Sequence, residues 1–160
     1  MEVTIYSDGS SRGNPGPGGF GTLMRCTLAN GEVHQKEISE GFRETTNNRM
    51  ELLGAIRGLE ALNRPCTVTV ITDSQYVVNA FNQHWVEGWR RKGWKNAKKE
   101  PVKNRDMWER LLAAMEPHRV TFVWVKGHAG HPENERCDQL ATEAADQPAH
   151  LLSVDEGFAG

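Results

Sequence analysis

Thr67-Val68-Thr69-Val70-Ile71-Thr72-Asp73-Ser74 decides how this chain folds. The six residues from Thr67 to Thr72 are all β-branched. Such side chains lose rotamer freedom in a helix but sit well on a pleated surface, so the run reads as a strand. Before it, Met50, Leu53, Ile56, Leu59 and Leu62 form an apolar stripe at helical spacing, and Pro65 follows as a stop. The stretch from about Thr46 to Leu62 is therefore a helix. A strand reached through a helix lies parallel to an earlier strand of the same sheet, by a right-handed crossover.

Working outward, that earlier strand is Val3 to Ser7. Residues 9–19, Gly9-Ser10-Ser11-Arg12-Gly13-Asn14-Pro15-Gly16-Pro17-Gly18-Gly19, read as loop throughout. Phe20 to Thr27 and about Val33 to Gly41 are two further strands joined at Asn30-Gly31, a strong hairpin signal. Leu28 to Glu32 looks slightly long for that turn. On the other side, Ser74 can cap a helix running to about Phe81. Residues 84–102 are basic and aromatic without a readable pattern. Asp106 to Met115 reads as helix ended by Pro117, and Val120 to Val125 as the fifth strand. Pro132, with Glu133 and Glu135, opens a last helix.

The order predicts an α/β fold. Its sheet is five-stranded and mixed: a three-strand antiparallel meander plus parallel strands, with helices on both faces. Residues 1–147 form one domain, and 148–160, which carry no pattern, read as a flexible C-terminal tail.

The chain of 160 residues fits one ordinary domain. It has no apolar run near the ~20 residues of a membrane span and no leader-like N-terminus. Cys26, Cys66 and Cys137 are odd in number and far apart. Reduced thiols and a cytoplasmic setting are expected, rather than a disulfide frame or zinc site. Net charge is −2, yet Arg90, Arg91, Lys92, Lys95, Lys98 and Lys99 crowd one segment without an acid. A polyanion can be held there.

The strands Thr4-Ile5-Tyr6-Ser7-Asp8 and Val70-Ile71-Thr72-Asp73 end alike: apolar, hydroxyl, then Asp. As parallel neighbours ~4.8 Å apart they would present both carboxylates at the carboxyl edge of the sheet, where open α/β sheets place their sites. Either Asp alone also reads as a turn or helix cap. Glu51 has Gly54, Ala55 and Gly58 as helical neighbours, which would let that edge approach the sheet. On spacing alone it is equally an acid favoured by the helix dipole. Asp138 borders the apolar stripe Cys137, Leu140, Ala141 and Ala144, and is either solvated or aimed into a cleft. Gathered carboxylates repel unless cations neutralise them, and hard oxygen donors select Mg²⁺ or Mn²⁺.

These segments resemble type 1 ribonuclease H, the bacterial ribonuclease HI. The resemblance rests on Ser7-Asp8-Gly9-Ser10 with the Gly/Pro run to Gly19, on Thr45-Thr46-Asn47-Asn48-Arg49-Met50-Glu51-Leu52 and on Thr72-Asp73-Ser74-Gln75-Tyr76-Val77. It ends on Trp124-Val125-Lys126-Gly127-His128-Ala129-Gly130-His131-Pro132-Glu133-Asn134-Glu135-Arg136-Cys137-Asp138. It runs from about residue 2 to 146. It implies hydrolysis of the RNA strand of an RNA–DNA hybrid, leaving 5′-phosphate and 3′-hydroxyl ends. The catalytic, metal-holding residues would be Asp8, Glu51, Asp73 and Asp138, with two Mg²⁺ ions and Mn²⁺ as a possible substitute. His128 would be a mobile group assisting proton transfer or product release. Zinc at His128 and His131 is disfavoured because no soft ligands lie nearby. His131 has no assigned role.

The resemblance also implies substrate contacts. Ser11, Asn14, Asn48 and Gln75 would read the RNA strand in the minor groove. Thr46, Asn47 and Asn104 would hold the DNA strand, Thr46 and Asn104 on a phosphate. Trp85, Trp89, Arg91, Lys92, Trp94 and Lys95 interleave aromatic and cationic groups, and would form a basic handle on DNA phosphates and sugars. Ser11 stands where some bacterial members have cysteine. The Gly-rich run is not a phosphate-binding P-loop, since no Gly-Lys-Ser/Thr follows and the next segment reads as strand. Two other readings remain: a strand-transfer core of the integrase kind, which would lack the handle and the Thr45–Glu51 run, and a non-catalytic hybrid-binding module, against which the full carboxylate set counts. A monomer is expected.

Overall fold

The computed structural model describes residues 1–158. Five strands form one sheet in the order β3-β2-β1-β4-β5: β1 (Glu2–Ser11), β2 (Gly16–Thr27), β3 (Val33–Thr45), β4 (Thr67–Thr72) and β5 (Arg119–Trp124). β1, β2 and β3 are an antiparallel meander, while β1, β4 and β5 run parallel. The mixed sheet expected from the sequence is thus present.

The helices are α1 (Asn47–Glu60), α2 (Gln75–Asn82), α3 (Trp85–Arg91), α4 (Arg105–Met115) and α5 (Pro132–Ala145). α1 lies across β1 and β2 with α4 beside it, and α5 covers β1, β2 and β3 on the opposite face. The main core lies between α1, α2, α4 and the sheet: Ile5, Leu52, Ile56, Val70 and Trp108 are fully buried there. Burying each such side chain contributes about 1.5–3 kcal/mol.

The Gly/Pro run is mostly strand, where the sequence reading expected loop. β1 continues past Ser7 because Asp8 to Ser11 pair with Gly21 to Gly18, so only Arg12 to Pro15 turn outside the ladder. The glycines serve packing rather than looping. A Cβ on Gly21 would lie 2.3 Å from the Cys137 carbonyl, and one on Gly19 2.6 Å from that of Ala141. Their absence lets α5 settle directly on the sheet backbone.

The C-terminal segment, expected as a flexible tail, makes defined contacts. A short 3-10 turn, Ala149–Leu151, leads into a segment paired with β3: Ser153 donates to the Gly41 carbonyl and Arg43 to that of Ser153, both at 2.9 Å. Leu152 and Asp155 are buried. Burial of Leu152 and main-chain pairing of Ser153 with the edge strand are two sources of order that no local pattern announces.

Candidate active site

Ser7 and Thr72 are paired across β1 and β4, so Asp8 and Asp73 follow at neighbouring positions. Asp8 lies inside β1, and Asp73 one residue beyond β4. Ser74 caps α2 by accepting from Val77 N–H, which turns the chain away just after Asp73.

Glu51 sits in the second turn of α1, whose first turn is capped by Thr46 accepting from Arg49 N–H. It reaches the site because Gly9 has no side chain: a Cβ there would lie 2.3 Å from the Glu51 nitrogen. The Gly9 N–H donates both to Asp8, at 2.9 Å, and to Glu51. Asp8, Glu51 and Asp73 each offer an oxygen within 4.8 Å of the others. Asp138, on α5, lies outside that group but lines the same cleft, together with Asn47, Asn48, Gln75, Tyr76 and His128. The cleft measures about 440 Å³.

Burial, then the Glu51 charge, pushes the Asp8 carboxyl well above the usual range. Burial, joined by the Asp73 charge, raises Glu51 against the opposing hydrogen bonds with Asp8, the Gly9 N–H and the Ser74 hydroxyl. Among the described residues no cation forms an ion pair with any of the four acids. Two charges 4.8 Å apart repel by about 3.5 kcal/mol at an effective dielectric of 20. Such a set holds a proton or a cation at neutral pH. Converging oxygen donors without sulfur or imidazole fit a hard divalent ion. Cys137, next to Asp138, is no ligand: burial pushes its thiol up to about 12 and it points at the Tyr6 carbonyl.

His128 is exposed on the loop between β5 and α5, with left-handed backbone (φ 56°). Gly127 brings that loop against Asp73, since a Cβ there would lie 2.6 Å from Asp73 Oδ2. Trp124 donates its indole N–H to the Asp73 carbonyl at 3.0 Å.

The remaining expected residues divide. A second cavity of about 740 Å³ is lined by Asn14, Thr46, Asn47, Asn48 and Asn104, together with Arg49, Lys103 and Asp106. Asn14 accepts from Asn47 N–H at 2.8 Å, which ties the first hairpin to α1. Ser11 is engaged with Gly13 and Asn14 in that hairpin. Asn104 donates to the Tyr76 hydroxyl at 3.1 Å. Trp85, Arg91, Lys92 and Lys95 are exposed on and just after α3.

Trp89 and Trp94 are half-buried. Trp89 packs edge-on against buried Trp108 at 5.4 Å, and Trp94 lies under the Arg105 guanidinium at 5.5 Å. Both pack against the core and hold the handle to the body. The sequence reading missed Arg49, buried among Asp106, Asp155 and Asn104, because its partners lie more than fifty residues away. It missed Tyr76 and Lys103 too, neither of which carries a distinguishing local pattern.

Three comparisons bear on this geometry. The RNase H family model matches residues 1–146. The chain is similar to a ribonuclease H of Lachnoclostridium phytofermentans, 64% identical over 147 residues, spanning 91% of this chain and 93% of that protein. A ribonuclease H of Salmonella paratyphi C is 56% identical over 98% of this chain and 96% of its own. Among solved structures, LC9-RNase H1, described as a type 1 RNase H with the type 2 active-site motif, superposes with a TM-score of 0.80. It is 33% identical over 90% of this chain and 72% of that one. LC11-RNase H1, solved in complex with an RNA/DNA hybrid, gives a TM-score of 0.62 at 27% identity, over 90% and 96%.

Proposed function

The chain belongs to the RNase H family, and from that premise we propose that it cleaves the RNA strand of RNA–DNA hybrids endonucleolytically, leaving 5′-phosphate and 3′-hydroxyl ends. The observation that carries this is the Asp8, Glu51 and Asp73 trio at the floor of a cleft walled by amide side chains. These three with Asp138 would hold two Mg²⁺ ions, with Mn²⁺ as a substitute. Such ions, when bound, activate a water and stabilise the leaving oxygen.

The chain's own residues supply the rest. Asp8 feels the charges of Glu51, Asp73 and Asp138 alike, so it would hold a cation together with any of them. Asn48, on α1, and Gln75, on α2, both line the cleft and suit the 2′-hydroxyls and base edges of an RNA strand. Asn14 lies beyond that cleft, in the larger cavity, where it ties the first hairpin to α1. Ser11 shapes the same hairpin. Thr46, Asn47 and Asn104, around the larger cavity, suit a phosphate of the DNA strand. Lys103, on the same wall, adds a cation. Trp85, Arg91, Lys92 and Lys95 form the exposed handle face and suit further phosphates. His128, exposed beside the cleft, is placed to take up and release a proton. Every residue invoked comes from one chain, so a monomer suffices. Unpaired Cys26, Cys66 and Cys137 suit a cytoplasmic setting.

The test offers labelled RNA–DNA hybrid, duplex DNA, duplex RNA and single strands with Mg²⁺, then with chelator. Cleavage confined to the RNA of the hybrid and abolished by chelator is the expected result. Cleavage of duplex DNA, or cleavage without metal, refutes the reading.

A further inference from the structure

The C-terminal segment does more than cover the edge of the sheet. Asp155 is buried and accepts from Arg49 Nε at 2.7 Å, Arg49 Nη2 at 3.0 Å and the Thr45 hydroxyl at 2.7 Å. Arg49, 2% exposed, spends its remaining donors on Asp106, at 2.8 and 2.6 Å, and on Asn104 Oδ1 at 3.4 Å. Asn104 in turn donates to Tyr76. The tail then closes over this network: a Cβ on Gly157 would lie 1.8 Å from Asp106 Oδ2 and 2.8 Å from Arg49 Nη2. One carboxylate near the C-terminus thus joins the end of β3 to the first turn of α1 and the start of α4, and these two helix starts line the larger cavity.

A guanidinium is planar, and its donors have a fixed fork. Holding the Nε edge fixes where the Nη edge points. With Asp155 in place, Arg49 presents one orientation to Asp106 and Asn104. Without it, the fork rests on Asp106, whose side chain is 47% exposed, and on the long bond to Asn104, so Asn104 loses a firmly fixed neighbour.

We infer that Asp155 is a positioning residue for hybrid binding, acting through Arg49 to hold Asn104 and the first turn of α1 as a groove for the nucleic-acid backbone. The inference rests on the proposed nuclease reading. It concerns binding, not the acids at the cleft floor, because no atom of Asp155 or Thr45 lines that cleft.

Electrostatics and positioning predict opposite signs, which makes the test sharp. D155N removes a negative charge near a groove for phosphates, so charge alone would tighten binding. Positioning predicts weaker binding. The assay is steady-state cleavage of a labelled hybrid with saturating Mg²⁺, at a temperature where circular dichroism shows each variant fully folded. The expected result is a KM raised about fivefold, within the range one packed network transmits, with kcat within about twofold of wild type. Direct hybrid binding by fluorescence anisotropy in Ca²⁺ should weaken by the same factor. T45V leaves the charge alone and removes one of Asp155's partners, so it should move KM in the same direction by less. It also keeps the test open should D155N fail to fold. KM unchanged or lowered in a folded D155N, or in T45V alone where D155N does not fold, overturns the inference. So does a fall in kcat with KM unchanged. Failure of the wild type to cleave hybrid would instead refute the nuclease reading, and is read from the same plate.

Discussion

Replacing Asp8 by Asn should abolish turnover and, in the absence of divalent ions, make the protein more stable. Asp8, Glu51 and Asp73 approach within 4.8 Å, which at an effective dielectric of 20 means about 3.5 kcal/mol of repulsion for each charged pair. Asn removes the charge from two of the three pairs, while its carbonyl can still accept from Gly9 N–H. Proton uptake already relieves part of the repulsion, so the net gain at neutral pH is about 2–3 kcal/mol. For a chain of this length that is a rise of about 5–10 °C in Tm.

The pH dependence carries a definite sign. Burial and neighbouring charge raise the Asp8 and Glu51 carboxyls in the folded protein above their unfolded values. The folded state therefore binds protons more tightly, and wild-type stability is lost as pH rises from the ordinary carboxylate range, about pH 4, through neutrality. The gap between D8N and wild type should be small at pH 4 and widen towards pH 8. Thermal melts by circular dichroism in chelator, from pH 4 to 8, measure it. Added Mg²⁺ should then raise the wild-type Tm more than that of D8N. A D8N protein that melts at or below wild type at pH 7 in chelator, or a gap equal at pH 4 and pH 8, would refute the account of the site as an uncompensated carboxylate cluster.

Gly9→Ala forces a methyl group against the Glu51 backbone, so it should cost about 3 kcal/mol by denaturant unfolding and lower activity further than that loss explains; a stable, active G9A would show that α1 can move aside. Neutralising Arg91, Lys92 and Lys95 should raise KM for hybrid and reduce the slope of log affinity against log salt by up to about 0.9 per lost phosphate contact, and an unchanged slope would leave that face merely solvated. Trp89→Ala should destabilise the fold by about 2 kcal/mol, part of the value for a fully buried tryptophan, because its ring packs on Trp108. Trp85→Ala, exposed at 41%, should leave Tm within about 1–2 °C of wild type, as surface changes do; equal effects of the two on Tm would contradict the division between them.

The parts of the fold that were legible carry their signal locally. β4 runs from Thr67 to Thr72, as its β-branched run dictates, and α5 begins at Pro132. The Gly/Pro run misled because glycine permits a loop without requiring one. Its strand role depends on α5, more than a hundred residues later, needing its backbone against Gly19 and Gly21. The packing of the tryptophans was hidden for a related reason: alternation with lysine and arginine marks a surface segment but does not say which ring faces inward. Only Trp108, from another helix, decides that for Trp89. At the site, Asp8 and Asp73 follow from matched strand ends. Glu51 and Asp138 could be placed from the sequence only by resemblance, because what brings Glu51 to the sheet is the missing side chain of Gly9 on another element.

The two halves of the site rest on different physics, and so they should fail differently. The acids are placed by backbone approach: Gly9 admits Glu51, Gly127 lies on Asp73, and Gly21 lets α5 bring Asp138 to the cleft. Steric placement of this kind tolerates almost nothing, since a single methyl group moves a helix. The walls of the larger cavity are placed by side-chain networks running Thr45–Asp155–Arg49–Asp106 and Asn104–Tyr76. A member of such a network can be replaced by a close isostere, as in D155N or T45V, with the other hydrogen bonds left in place. Substitution around the groove should therefore yield graded binding defects in folded protein, whereas substitution at Gly9 or Gly21, each of which meets backbone, should remove activity and stability together. The acids repel one another and are kept together only because the backbone leaves them no other place. The cost of assembling them thus falls on the core, and the groove can vary without disturbing the chemistry beneath it.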